Sequence, residues 1–265
     1  MNDPTLAAGI AGIGFWSRGL PSWDAARAYA AEGRLPPEAP SRPAPQLLAA
    51  NERRRAPETV SVALEVALAA CTAAGRDPAT LPSVFASTHG ELAITDYMCA
   101  TLASDPRALS PIRFHNSVHN AAAGYWTIGV GATAPATAIS AYDASFAQGL
   151  VEALAHLATG TEAVLLVAYD GSASGPVARV SPSEGLLGAA LLLVREAQPG
   201  MPRLRARLQE ASDGSGPAAG PLSRLLAGNA MAPMLPLFEA LALSQAQATL
   251  KAGPGRSLAM EMSHE

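Results

Sequence analysis

The segment that most constrains the fold is an apolar strand joined to an apolar helix by one short turn. Residues Pro135–Tyr142 (PATAISAY) predict a buried strand, residues Ser145–Thr159 predict a helix, and Asp143 lies between them. Such a sharp turn presents one side chain at the top of a sheet, with the amides of the helix N-terminus directed towards it. This geometry suits a nucleophilic Ser or Cys, because exposed amides lower a thiol pKa and stabilise an oxyanion. The sequence therefore predicts a nucleophile elbow that carries a carboxylate.

An aspartate at this position offers different chemistry from a thiol. Asp143 cannot carry an acyl thioester, and we expect its carboxylate to cap the following helix, which stabilises a helix by about 1 kcal/mol. A functional carboxylate is the alternative, but a general base needs a nearby proton donor and a tuned pKa. Ser145 is a second candidate nucleophile. Its surroundings, Ala141–Phe146 (AYDASF), lack the Gly-x-Ser-x-Gly pattern of a tight serine elbow.

Strands and helices alternate along the chain, which predicts an α/β fold with a layered sheet covered by helices. Residues Arg203–Ala211 alternate polar and apolar side chains, as in a half-exposed strand at a sheet edge. Helices are expected at 57–75, 91–103 and 145–159, near 116–131, and over a helical region at 221–250. Further strands are expected at 6–16, 83–88, 163–169, 185–195 and 257–262.

Composition and charge exclude several classes of function. The 265 residues are 49% hydrophobic and only 15% charged, against about 25% charged in average globular proteins. The chain therefore buries much of its surface or covers it with a partner. A net charge of −4 argues against nucleic acid as the main ligand. The N-terminus does not resemble a signal peptide and no apolar stretch is long enough to span a membrane, so we expect a cytoplasmic protein.

Cysteine and histidine spacing predicts neither a metal site nor a cofactor. Cys71 and Cys99 lie in alanine-rich helical patterns and are expected to be buried structural thiols. His115 and His119 are four residues apart, but Asn116 and Ser117 resemble a helix start. His115 is therefore expected to lie outside that helix, and a structural hydrogen-bonding role is favoured over metal binding for both histidines.

One part of the chain resembles a known enzyme family. Residues Asn116–Trp126 (NSVHNAAAGYW) are followed by Ala134-Pro135, by seven residues ending at Tyr142, and by Asp143-Ala144-Ser145. This succession is similar to the helix, strand and nucleophile elbow of the β-ketoacyl synthases, which have a thiolase-like fold. The likeness extends over about residues 7–195 and is specific between 114 and 149.

The resemblance implies that Asp143 stands where catalytic members carry the acylated cysteine. In those members a second structural half supplies two histidines, and none of the five histidines here lies in a similar segment. The expected fold is thus a thiolase-like α/β domain truncated to roughly the N-terminal half of a ketosynthase. Within one domain, 1–265, we expect a thiolase-like core at 1–200, a flexible loop at 212–220 and a closing segment at 221–265.

The likeness is strongest to short ketosynthase-like proteins of bacterial aryl polyene pathways, which act like chain length factors. It implies a non-catalytic subunit that forms a heterodimer with a catalytic β-ketoacyl synthase and helps to set product length. The partner would supply the cysteine, the histidines and the docking site of the acyl carrier protein, so this chain would meet the carrier only indirectly.

In this family two sheets join edge to edge through the strand that precedes the elbow. Residues 136–141 are uncharged and largely apolar here, so the strand would be an aggregation hazard unless a partner covered it. The candidate residues for the interface or an acyl tunnel are Asn116, His119, Tyr125, Trp126, Ala138, Ser140, Tyr142, Asp143 and Phe146.

Two other functions stay open at this point. One is a free-standing thioester hydrolase or malonyl decarboxylase that uses Asp143 or Ser145. The other is an acyl-binding homodimer without catalysis.

Overall fold

A computed structural model describes residues 5–211 and 219–263. Within this part of the chain the strands form one eight-stranded sheet. They are β1 (Leu6–Ser17), β2 (Ser83–Ala86), β3 (Ala136–Ile139), β4 (Ala163–Asp170), β5 (Leu187–Val194), β6 (Arg203–Glu210), β7 (Gln247–Gly253) and β8 (Arg256–Ser263). The spatial order is β3-β2-β4-β5-β1-β6-β8-β7.

The centre of the sheet consists of strands that are covered on both faces. Every residue of β4 (AVLLVAYD) and of β5 (LGAALLLV) is buried, as continuous apolar runs predict. β2 pairs in parallel with both β3 and β4, whereas β5 is antiparallel to β4 and β1. The expected strands near 6–16, 83–88, 163–169, 185–195 and 257–262 are confirmed.

Helices cover the two faces of the sheet. They are α1 (Trp23–Glu32), α2 (Ala50–Arg53), α3 (Glu58–Ala74), α4 (Leu92–Ser104), α5 (Pro111–Asn116), α6 (Ala121–Val130), α7 (Ser145–Ala158), α8 (Pro221–Leu225) and α9 (Leu235–Ala242). Helices α1, α7 and α9 contribute to one apolar core, and α3 and α6 contribute to the other. The expected α/β fold with a covered sheet is confirmed.

Two glycines of β1 allow α3 to lie directly on the sheet. A Cβ on Gly12 would stand 2.1 Å from the carbonyl oxygen of Ala70, and one on Gly14 would stand 2.0 Å from that of Val66. No side chain fits at such distances, so glycine is required for this approach. The close packing explains why ten of the 17 residues of α3 are buried.

The C-terminal segment corrects two of the expectations. The predicted helical region at 221–250 ends early, because residues Gln247–Gly253 form β7. The alternating strand β6 is not an edge strand, since it pairs with both β1 and β8. Its alternation arises because Leu204 and Ala206 are buried on one face while Arg203, Arg205 and Arg207 are exposed on the other. The edge at this end of the sheet is β7.

The segment beyond residue 220 extends the sheet and then returns to the elbow. The side chain of Gln148 in α7 donates from Nε2 to the carbonyl oxygen of Ala252 in β7 at 2.7 Å. The expected flexible loop falls mainly on residues 212–218, which lie outside the described residues. Over 5–211 and 219–263, the helices lack the length and hydropathy needed to cross a bilayer.

Candidate functional site

The expected elbow is present between β3 and α7. Residues Tyr142–Ala144 form a 3-10 turn, and α7 begins at Ser145. Tyr142 has a φ angle of 55°, which is a sparsely populated conformation for a bulky side chain. The residue is 58% exposed. Strained backbone immediately before the nucleophile position is typical of sites where a sharp turn presents a functional side chain.

Ser145 closes this turn instead of facing open space. Its hydroxyl is buried, donates to the carbonyl oxygen of Tyr142 at 2.6 Å, and accepts from the amide of Ala141 at 2.9 Å. Thr88 adds a bond from its Oγ1 to the same carbonyl oxygen at 3.1 Å. A hydroxyl that satisfies the turn is not available for attack, so the geometry does not support Ser145 as a nucleophile.

Asp143 pairs with a distant lysine. The residue before α7 is Ala144, whose side chain provides no cap, so the expected capping role of Asp143 is wrong. Its carboxylate instead forms an ion pair and hydrogen bond with Nζ of Lys251 in β7. Both side chains are partly exposed, at 33% for Asp143 and 58% for Lys251, and such pairs contribute about 0–1 kcal/mol.

The residues of the Asn116–Trp126 motif divide between two helices. His115 and Asn116 belong to α5 and the next helix, α6, begins only at Ala121, so the predicted helix start at Asn116 and Ser117 is wrong. His119 lies between the two helices, and its Nε2 bonds to the carbonyl oxygen of Ser87 at 2.9 Å. This contact ties the motif to the carboxyl end of β2.

Three aromatic candidates make contacts inside the chain. The hydroxyl of Tyr125 donates to Oδ1 of the buried Asn116 at 3.1 Å. Trp126 is fully buried in the core with α3, and Phe146 packs against Phe238 with ring centroids 5.9 Å apart. The roles of these residues at an interface or tunnel stay predictions.

The strand before the elbow is an edge strand, so the prediction of a buried strand over 135–142 is wrong: β3 covers only Ala136–Ile139 and none of its residues is buried. β3 pairs with β2, and its Ala136 is exposed while Ala138 is half-buried. Beyond the strand, the Oγ of Ser140 donates to the carbonyl oxygen of Thr88 at 3.1 Å. Ile128, on the neighbouring helix α6, is 79% exposed. An apolar side chain so exposed beside a bare sheet edge marks a surface suited to contact with another protein.

A buried carboxylate that the sequence analysis missed holds the loop beside the elbow. Asp170, at the end of β4, accepts hydrogen bonds from Oγ of Ser87 at 2.8 Å and from the amides of Thr88 and His89 at 2.9 and 3.1 Å. Burial raises the pKa of Asp170, and these three donors oppose that rise. The signal in the sequence was an acid directly after a wholly apolar strand (AVLLVAY).

An open cleft of about 500 Å³ lies against the elbow. The loop that links β4 to β5 and the loop between α8 and α9 form its other walls. The polar side chains that line it belong to Thr88, Tyr142, Asp143, Ser181, Ser223 and Asn229.

The cysteines differ from each other. Cys71 is buried, and burial raises the pKa of its thiol to about 12. Cys99 is exposed, so the expectation that it is buried is wrong. In the described ranges, no group of three or more His, Cys, Asp or Glu side chains has the arrangement of a metal site.

A family model described as β-ketoacyl synthase, N-terminal domain, matches residues 23–249. The chain belongs to this family. The elbow and the edge strand before it therefore lie within a β-ketoacyl synthase domain. That Asp143 stands at the position of the family's nucleophile stays a prediction. No curated protein matches the sequence.

Solved structures of similar fold include ketosynthase assemblies. One is a ketosynthase, ApeO, in complex with its chain length factor, ApeC, from Xenorhabdus doucetiae, with a TM-score of 0.75, 22% identity, and coverage of 97% of this chain and 99% of that chain. The ishigamide ketosynthase/chain length factor has a TM-score of 0.72 and 14% identity, and the match covers 97% of this chain and 99% of that chain. A ketosynthase of the bacillaene polyketide synthase from Bacillus amyloliquefaciens has a TM-score of 0.54 and 13% identity, and the match covers 79% of this chain and 48% of that chain. The predicted ketosynthase-type, thiolase-like fold is confirmed.

Proposed function

We propose that this chain is a non-catalytic ketosynthase-like subunit, comparable to a chain length factor, that pairs with a catalytic β-ketoacyl synthase. One observation carries the proposal: a β-ketoacyl synthase domain holds Asp143 at its elbow, paired with Lys251. A carboxylate held against an ammonium group cannot act as the thiolate that accepts and releases an acyl group. Acyl transfer through a thiolate therefore requires a companion subunit that carries the cysteine.

The free edge of β3 supports the pairing. The amides of Ser83 and Ser87 in and after β2 donate to the carbonyl oxygens of Pro135 and Ile139 at 3.0 and 3.1 Å. Since backbone groups alternate in direction along a strand, the N–H and C=O groups of Ala138 point away from β2. These groups are free to pair with an edge strand of another subunit, which would continue the sheet across the interface.

The structures of similar fold support the same assembly, since two of them contain a ketosynthase together with a chain length factor. We propose that the partner supplies the reactive cysteine and the docking site for the acyl carrier protein. The product class, an aryl polyene or a related polyketide or fatty acyl chain, and the cytoplasmic location stay predictions.

Co-expression with a ketosynthase that has an intact cysteine tests the proposal. We expect the two chains to elute together from a size-exclusion column, and we expect the product distribution, measured by mass spectrometry, to differ from that of the ketosynthase alone. Absence of a complex together with an unchanged product distribution would refute the pairing. Two copies of this chain eluting as a dimer that excludes the ketosynthase would instead favour the homodimer.

Asp143→Ala in the same complex separates a scaffold from an enzyme. The scaffold role predicts that the complex forms and that most activity is kept, because the partner performs the reaction. Loss of turnover with the complex intact would assign Asp143 a chemical role.

A further inference from the structure

A serine and a histidine outside the elbow lie within hydrogen-bonding distance of each other. Ser181 is in the loop between β4 and β5, and His89 is in the loop that follows β2. Their Oγ and Nε2 atoms are 2.7 Å apart. A hydroxyl in contact with an imidazole nitrogen is the basic arrangement of a nucleophile and its general base.

The serine faces the cleft that lies against the elbow. Ser181 contributes to the lining of this space of about 500 Å³, together with Thr88, Tyr142 and Asp143. Its side chain is partly exposed, whereas Ser145 is buried within the turn. A carbonyl group in the cleft would therefore meet the hydroxyl of Ser181 and not that of Ser145.

The backbone of His89 is held by the buried carboxylate of Asp170. The amide of His89 donates to Oδ1 of Asp170 at 3.1 Å, and the same oxygen accepts from Oγ of Ser87. Burial raises the pKa of Asp170, whereas its hydrogen bonds and the positive charge of a protonated His89 oppose the rise. These contacts hold the backbone of the loop that carries His89 beside Ser181.

The state of the imidazole ring also bears on the reaction. Among the described residues, Nδ1 of His89 is buried and has no hydrogen-bond partner. When the ring proton is on Nδ1, the lone pair of Nε2 faces Ser181 and can accept the proton of its hydroxyl.

We propose that Ser181 and His89 form a catalytic pair that hydrolyses acyl esters and thioesters in this cleft. Oγ of Ser181 attacks the carbonyl carbon while its proton moves to Nε2 of His89. The bond from the carbonyl carbon to the leaving oxygen or sulfur breaks, and the leaving group takes that proton. Water then attacks the acyl-serine with His89 as base, which releases the carboxylic acid and restores the serine. This hydrolysis is separate from the condensation reaction, in which the chain is proposed to be non-catalytic, so it goes beyond the proposed scaffold role and needs no partner.

A fluorophosphonate probe tests the proposal on the purified chain alone. We expect one adduct by intact-mass spectrometry, located on Ser181 by peptide mapping, and hydrolysis of p-nitrophenyl acetate and of an acetyl N-acetylcysteamine thioester. Ser181→Ala removes the attacking oxygen and is expected to abolish the adduct and to lower hydrolysis at least 10-fold. His89→Gln is expected to lower the rate of labelling and the rate of hydrolysis by a similar factor. The fold of this variant, measured by circular dichroism, should be unchanged.

Ser172→Ala is the matched control. Ser172 is an exposed serine of the same loop whose hydroxyl bonds to the backbone of Gly185, so its replacement is expected to leave labelling and hydrolysis unchanged. A wild-type chain that forms no adduct, or a Ser181→Ala variant that hydrolyses as fast as the wild type, would overturn the proposal. Such a failure would leave the pairing with a ketosynthase untouched, because that is measured by co-elution.

Discussion

The two edges of the sheet differ in how their outer backbone groups are covered. At the β7 edge the carbonyl oxygen of Ala252 accepts a hydrogen bond from Gln148, and Lys251 pairs with Asp143. At the other edge, β3 has four residues without charge, and in the described part of the chain no second strand lies beside it. One edge is therefore partly covered within the chain, whereas the other is left for a strand from elsewhere.

Charge and side-chain contacts explain why only one edge is suited to association. Natural sheets protect free edges with charged residues or by covering them, and β7 has both kinds of protection. β3 has neither; it contacts helix α6, which carries the exposed Ile128, and it is followed by the exposed Tyr142. A bare edge next to apolar side chains is the arrangement expected of an interface that a partner buries.

Asp170→Ala has the largest expected effect, because this carboxylate supports the β3 end of the sheet from within. Its removal leaves three donors near Ser87–His89 unpaired, each at a cost of about 1–3 kcal/mol. We expect the free energy of unfolding in urea to fall by about 3–5 kcal/mol, which is the lower part of the range for three unsatisfied donors. A loss below about 1 kcal/mol would contradict the supporting role.

The same variant carries a pH test. Burial raises the pKa of Asp170 in the folded state, so the folded chain holds that proton to higher pH than the unfolded chain. The part of its contribution that depends on the bound proton is complete below the ordinary aspartate pKa of about 3.9 and is lost as pH rises through the folded-state value. The stability difference between wild type and Asp170→Ala should therefore narrow as pH rises through this window. A stability difference between the two proteins that widens as pH rises would contradict a raised pKa of Asp170.

Ala138→Pro tests the free edge of β3 directly. Proline removes the outward N–H of residue 138, and an edge strand tolerates this change on its unpaired side. We expect binding to the ketosynthase, measured by calorimetry, to weaken by about 100-fold, which corresponds to about 2.7 kcal/mol. Ala138→Ser keeps the N–H and should bind like the wild type. Equal affinities for the proline and serine variants would place the interface elsewhere.

Gln148→Ala is the corresponding change at the closed edge. It removes the hydrogen bond to Ala252, so we expect the free energy of unfolding to fall by about 0.5–1.5 kcal/mol. Affinity for the ketosynthase should not change. If the variant lost affinity and kept its stability, the assignment of the two edges would be reversed.

Asp143→Ala has the smallest expected effect on stability. The ion pair with Lys251 is partly exposed, so its loss should cost less than about 1 kcal/mol in chemical denaturation. Lys251→Met should have an equally small effect. A loss of several kcal/mol from either change would contradict this expectation. It would mean that the ion pair between Asp143 and Lys251 is a major contribution to the stability of the fold.

Local patterns in the sequence predicted much of the fold. The uncharged run before Asp143 predicted a strand in need of a partner, and the continuous apolar runs of β4 and β5 predicted the covered centre of the sheet. Each of these inferences rests on periodicity within one element, which is a local property.

Contacts between distant residues were not predictable in the same way. Asp143 and Lys251 are 108 positions apart in the sequence, so no local pattern could predict that they pair. The alternation of β6 reported one exposed face and gave no information about its neighbours in the sheet. Asp170 was not predicted to be a buried acceptor, because its donors lie more than 80 positions earlier in the chain.

Hydrogen exchange at the two edges, read by NMR before and after addition of a catalytic ketosynthase, tests the central claim most directly. If β3 pairs with a strand of the partner, the amide of Ala138 exchanges rapidly in the free chain and becomes strongly protected in the mixture, whereas the amides of β7 do not change. An amide of Ala138 that exchanges equally fast in the saturated complex would contradict the account.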